Sequence, residues 1–210
     1  MNISKDNTIL AFDLHEVLFT FDYKKIVKII WQFNHKLAII ATLFHFGLIW
    51  QLLKLLWNDA TDEEFYDLFE QKRPILFPLI LEMTNAQKII PGTDTIVKDL
   101  VQQDYTLHIL SNIGPRRFKQ LSDDFPQLIG YFKRVKIVDP NNAPRIKKPD
   151  TQFFVDYLKE YTQPKQQVIL IDDNKKNIKI ARSLGMIAIP FRSAKQLRKQ
   201  LQQLDILIST

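Results

Sequence analysis

The sequence predicts an α/β fold, a Rossmann-like three-layer core on a parallel sheet with an inserted all-helical cap, and three observations predict it. First, short apolar runs of strand length alternate with segments of helical spacing through the second half of the chain, the pattern of parallel strands joined by right-handed crossovers. Second, an apolar strand at residues 8–13 is separated from that alternation by a long helical block. The block is therefore an insertion, lying over one edge of the sheet. Third, three strands end on polar groups, at Asp13, Ser111-Asn112 and Asp172-Asp173, and ligands of an open parallel sheet gather beyond the carboxyl ends of its strands.

Taken in order, "ILAFDLHEVLF" (9–19) opens as a buried strand and then sets Asp13, His15 and Glu16 at its tip. Charged groups there cost desolvation unless a turn in water or a site compensates them. Residues 22–57, with no proline and one glycine, read as two or three helices, and Asp22 starts the first. The purest apolar stretch, Leu37 to Trp50, falls short of a bilayer span, and His45, Gln51 and Lys54 interrupt its extension. A buried helical pair is expected there, with a membrane-surface contact or a homodimer face as the alternatives. Thr61 and Glu64 in "TDEEFYDLF" offer a capping box for a further helix. The segment "RPILFPLILEMTNAQKIIPG" winds down through its prolines to a turn at Pro91-Gly92.

A helix near 93–103 then leads to the strand "YTLHIL", a helix after Gly114-Pro115 to "RVKIVD", a helix from Asp150 to "QVILID", and one through "KKNIKIARSLG" to "MIAIP". The expected domains are a core of residues 1–21 and 89–210 and a helical cap of residues 22–88.

Composition narrows the function classes. With 46% hydrophobic and 25% charged residues in 210, the chain has the apolar material for a folded core, which argues against disorder. The absence of cysteine excludes disulfides, thiolate metal sites and a cysteine nucleophile. The start, "MNISKDNTIL", lacks the pattern of a secretory signal, and a cytoplasmic protein is expected. A formal charge of +6 favours anionic partners, but the basic residues are spread along the chain. The densest sets, "KKNIKIAR" and "KQLRKQ", have the spacing of solvated helix faces, so nucleic acid is not expected as a partner.

Adding the lysine of "IKKPD" to the three strand ends sets carboxylates, a hydroxyl and a cation on one rim. Each alone has a plainer reading: Ser111-Asn112 could end a strand in a turn, and Asp172-Asp173 could complement a helix dipole. Together, "FDLHEVL", "LSN", "KKPDTQFF" and "IDDNKKNIKIARSLGM" resemble the motifs of the haloacid dehalogenase (HAD) superfamily, in the branch with a helical cap inserted after the first motif.

The resemblance implies a magnesium-dependent hydrolase, a phosphatase acting on a small phosphorylated substrate through an aspartyl-phosphate. It makes Asp13 the nucleophile, Ser111 and the amides near Asn112 the phosphate-binding groups, and Lys148 the charge-neutralising cation. Asp173 matches the usual direct magnesium ligand, with Asp172 beside it and Asn177 as a further polar partner; the metal contact at His15 would use its main-chain carbonyl. Elementary chemistry agrees, since a carboxylate attacks an anionic phosphoryl group only where a hard dication and a lysine cancel the repulsion.

At His15 the family usually has a second aspartate, the general acid and base; an imidazole, with an unperturbed pKa of ~6.5, can do both jobs. Glu16 and Arg145 stand where the family often has glycine, and Thr151 replaces a second proline. Lys147 is the alternative cation, and His35, His45 and His108 are expected to pack or face water. Two alternatives stay open: a catalytically impaired binding protein on the same fold, and a metal-free 2-haloacid dehalogenase, against which "IDD" argues.

Overall fold

A computed structural model describes residues 3–35, 62–139, 141, 145–163 and 166–206. Its centre is a five-stranded parallel sheet in the order β5-β4-β1-β6-β7. The strands are β1 (Thr8–Phe12), β4 (Thr106–Leu110), β5 (Arg134–Lys136), β6 (Gln167–Asp172) and β7 (Ile187–Pro190). β1 is buried along its whole length, as an unbroken apolar run requires when helices cover both faces of a sheet.

The two-residue alternation of β1 divides the core. Leu10 and Phe12 pack into one cluster with Ile96, Leu121 and Leu197; Ile9 and Ala11 pack into a second with Phe153, Tyr157 and Ile178. The first layer thus contains α4 (Thr93–Gln102), α5 (Pro115–Asp124), α6 (Pro126–Ile129) and α9 (Ala194–Gln203), and the opposite layer α7 (Thr151–Tyr161) and α8 (Lys175–Ser183). Among the described residues, three helices of these two layers start on side-chain caps: Asp150 accepts from Gln152 N, Asn174 from Lys176 N and Ser193 from Gln196 N.

The helical insertion leaves and rejoins the core through a two-stranded antiparallel ribbon of β2 (Phe19–Phe21) and β3 (Gln87–Ile89), with Phe19 opposite Ile89 and Phe21 opposite Gln87. Between them lie α1 (Tyr23–Gln32), α2 (Asp62–Lys72) and α3 (Phe77–Asn85). Asp22 caps α1 by accepting from Lys25 N at 3.2 Å, as the sequence predicts. Phe69, Leu76 and Leu79 form a separate small core with Ile29, Phe33 and Met83, while Tyr23, Val27 and Trp31 of α1 are exposed.

The segment read as winding down to a turn reaches that turn at Pro91-Gly92, but contains α3 and β3 before it. Pro78 stands in the first turn of α3, where proline displaces no intrahelical hydrogen bond. Thr61 of the expected capping box, and the apolar stretch from Leu37 to Trp50, lie outside the described residues. Among the described residues no helix is long and apolar enough to cross a membrane.

Candidate active site

Sheet register brings the predicted residues together. Phe12 pairs with Ile109 on one side and Ile171 on the other, so Asp13 stands level with the last residues of β4 and β6. Ser111 and Asp173 follow one residue beyond. Asp13 N extends the ladder by donating to Ile171 O at 2.9 Å, and Ser111 N donates to Lys136 O at 3.0 Å.

Lys148 comes to this rim from the loop between β5 and α7. Its ammonium, 1% exposed, lies 2.9 Å from Asp13 Oδ2 and 2.6 Å from Asp172 Oδ2. Burial alone would lower the lysine's pKa, but the charges of Asp13 and Asp172 outweigh it and hold the ammonium above its ordinary range.

Asp172 is fully buried and accepts four hydrogen bonds from three groups: Lys148 Nζ, Asn174 N, and Asn177 Nδ2, which lies 3.0 Å from each carboxylate oxygen. Burial pushes its carboxyl up, Lys148 draws it down, and the Asp13 charge pushes it up again. Three donor groups with no acceptor among them are the environment of an ionised carboxylate, which only accepts.

Asp173 is exposed at the mouth of the site. Its carboxyl is pushed up to about 6 by desolvation and by the like charges of Asp13 and Asp172. One carboxylate oxygen from each of Asp13, Asp172 and Asp173 lies within 4.8 Å of the others.

This set suits a hard dication. Three carboxylates meet one lysine there, and oxygen donors at this spacing are what magnesium takes. The His15 imidazole is not among the candidate ligands. Its ring stands edge-on to Phe21 at 4.8 Å, with Nδ1 3.4 Å from Gln87 Nε2 and Nε2 3.5 Å from Glu16 Oε1.

Asn112, expected at the phosphate, turns its side chain to Lys148. Oδ1 accepts from Lys148 N and Nδ2 donates to Lys148 O, both at 2.7 Å. The side chain is thus a clamp on the lysine loop, and Ser111, itself buried, is left as the hydroxyl of the strand end.

The fold, the motif order and the carboxylate–lysine cluster agree with one family, and the comparison with known proteins decides it. The model of the haloacid dehalogenase-like hydrolases matches residues 53–190, most of the chain. The chain belongs to this family. The matched HAD segment contains Ser111, Lys148, Asp172 and Asp173, while Asp13 lies ahead of it.

Solved HAD structures share the fold. The L-2-haloacid dehalogenase of Xanthobacter autotrophicus aligns at a TM-score of 0.59 and 18% identity, over 93% of this chain and 82% of that one. A HAD family enzyme of Bacteroides thetaiotaomicron, in complex with magnesium and inorganic phosphate, aligns at 0.58 and 18%, over 89% and 94%. A relative by sequence, the drimenol cyclase drtB of Aspergillus calidoustus, is 35% identical over 81 residues, which are 37% of this chain and 15% of that protein. This chain therefore matches only a small part of that relative's length.

Sequence reasoning missed three features of the surroundings. Arg145 reaches across to Asp67 of α2 at 3.4 Å, linking the lysine loop to the insertion. Gln87 meets His15 from β3. Arg117 is buried, although helix arginines ordinarily face water. The visible signal for the last was Arg116-Arg117 in the first turn of a helix, where the dipole disfavours cations.

Proposed function

We propose that the protein is a magnesium-dependent phosphatase acting on a small phosphorylated organic substrate. The observation that carries the reading is the charge balance at the strand ends: three carboxylates within 4.8 Å of one another, with Lys148 as the cation between two of them. Such a set repels an anionic substrate until a dication joins it.

Asp13 and Asp173 would hold the magnesium with the main-chain carbonyl of His15, and the ion would supply charge neutralisation for the incoming phosphoryl group. Asp172, saturated by three donor groups, serves by fixing Lys148. Asp13 attacks phosphorus, the bond to the leaving oxygen breaks, and His15 gives that oxygen its proton. Water, deprotonated by the same imidazole, then attacks the aspartyl-phosphate and releases inorganic phosphate. Ser111 and nearby main-chain amides bind the transferring oxygens. The helical insertion closes over the site and chooses the leaving group; its apolar composition favours an apolar or aromatic one.

The test is release of phosphate from an aryl phosphate with and without magnesium, by wild type and Asp13→Asn. Metal-dependent release that Asp13→Asn abolishes is expected. Release no greater than that of the variant overturns the phosphatase, and chloride release from a 2-haloacid that a chelator leaves intact would assign a dehalogenase instead.

A further inference from the structure

Arg117 is 2% exposed, and its Nη1 is buried with no hydrogen-bond partner among the described residues. A buried guanidinium with an unmatched donor is strongly unfavourable unless an anion completes it. Its position compounds the charge. Gly114 caps α5 and Pro115 begins it, so Arg116 and Arg117 both lie in the first turn, which contains no acid. The helix dipole already makes that end positive.

The surroundings show where an anion would lie. The guanidinium sits over the Phe21 ring at 5.7 Å, and that ring meets His15 at 4.8 Å. Phe21 is directly opposite Gln87 across the ribbon, and opposed residues of an antiparallel pair turn their side chains to the same face. Gln87 in turn reaches His15 with its Nε2 at 3.4 Å, and that NH2 is the group of this side chain that can also donate to an anion. Phe21 and Gln87 therefore meet the histidine that, in the reaction above, faces the leaving group, and Arg117 joins this cluster through the Phe21 ring.

We propose that Arg117 receives a second anionic group of the substrate, carried on the leaving group, with the Gln87 amide beside it. The shared chemistry is a carboxylate or a further phosphoryl group. The substrate class is then a phosphate ester whose leaving group, apolar in its body, also bears another acid. The inference builds on the phosphatase reading above, but binding alone tests it.

Titration calorimetry of the full chain with magnesium compares ethylphosphonate, phosphonopropionate and ethylenediphosphonate, which cannot be turned over and which separate the two sources of the anion. One of the doubly acidic ligands should bind at least about tenfold more tightly than ethylphosphonate. Arg117→Met should bring that ratio close to one, and Arg117→Lys should keep part of it. Magnesium chelation by the diphosphonate is common to all three proteins and cancels in the comparison.

Methionine fills a similar volume without charge, so Arg117→Met should fold with an undiminished Tm. Should it not fold, Arg117→Lys decides, since loss of the planar fork must still lower the ratio. Equal affinities in the wild type overturn the proposal. A preference undiminished in Arg117→Met or in Arg117→Lys also overturns it, and leaves Arg117 a structural role inside the fold. Failure of the aryl-phosphate assay bears on the phosphatase and leaves this binding result standing.

Discussion

Asn112 grips Lys148 by its main chain, through two hydrogen bonds of 2.7 Å that engage both polar atoms of the amide. The consequence is geometric. A lysine on a loop is ordinarily free to swing, whereas this one delivers its ammonium between Asp13 and Asp172. Asn112→Ala removes the grip while leaving every charged group in place. Loss of about 1–3 kcal/mol in unfolding free energy is expected, read from urea denaturation, together with a fall in turnover of an aryl phosphate. Unaltered turnover would mean that the loop holds its shape without the clamp.

Removing the cation itself should cost more. Lys148→Met leaves two buried carboxylates facing each other, and breaking a buried ion pair from one side costs about 3–5 kcal/mol. Lys148→Met with Asp172→Asn relieves the uncompensated charge. The double variant should recover most of the lost stability and none of the activity, a separation that denaturation and phosphate release measure independently. If the single variant is as stable as wild type, the lysine contributes little to the fold.

Much of this site was legible in the sequence because it follows from strand ends. β1 and β6 are apolar runs that stop at Asp13 and Asp172, and parallel neighbours with matched registers must bring such ends side by side. What was not legible depends on pairings far apart in the chain. β2 and β3 have three residues each, too few for a periodic signal, and exist because residues 19–21 meet 87–89. α3 was hidden by Pro78 in its first turn and Pro74 just ahead of it. The clamp of Asn112 on Lys148 and the burial of Arg117 are tertiary facts, since asparagine after a strand and arginine in a first helical turn ordinarily face solvent.

Glu16 shows a local cost that the sequence hinted at. Its φ is +55°, in the left-handed region where a side chain is strained. Its carboxylate accepts from Thr20 Oγ1 at 2.8 Å and lies 3.5 Å from the His15 ring. Glu16→Gly relieves the strain, loses that exposed hydrogen bond and adds flexibility to the unfolded chain. A net gain of roughly 0.5 kcal/mol is expected. It also removes an anion next to His15, so KM for a phosphorylated substrate should fall. A rise in KM would show that the carboxylate orients the imidazole.

His108 gives the fold a pH dependence remote from the chemistry. It sits on β4 between Ala11 of β1 and Arg134 of β5, with Nδ1 2.9 Å from the buried Tyr157 hydroxyl. Burial first, then the charges of Arg134 and Lys133, push its pKa down to about 4. The unfolded chain, with an ordinary imidazole, takes up a proton at ~6.5, before the folded one does. The neutral ring's contribution is therefore complete above ~6.5 and is lost as pH falls toward about 4, on the order of 3 kcal/mol across the window. Asp173, raised to about 6, acts with the opposite sign, its contribution being lost as pH rises through that value. Subtracting His108→Asn from wild type cancels Asp173, because both proteins contain it. The difference in unfolding free energy, measured in urea from pH 7.5 down to pH 4, should shrink by about 2–3 kcal/mol as the wild type loses its advantage. A difference that stays flat over this range would mean that His108 takes up its proton in the folded protein as readily as in the unfolded chain, against the two basic neighbours that surround it.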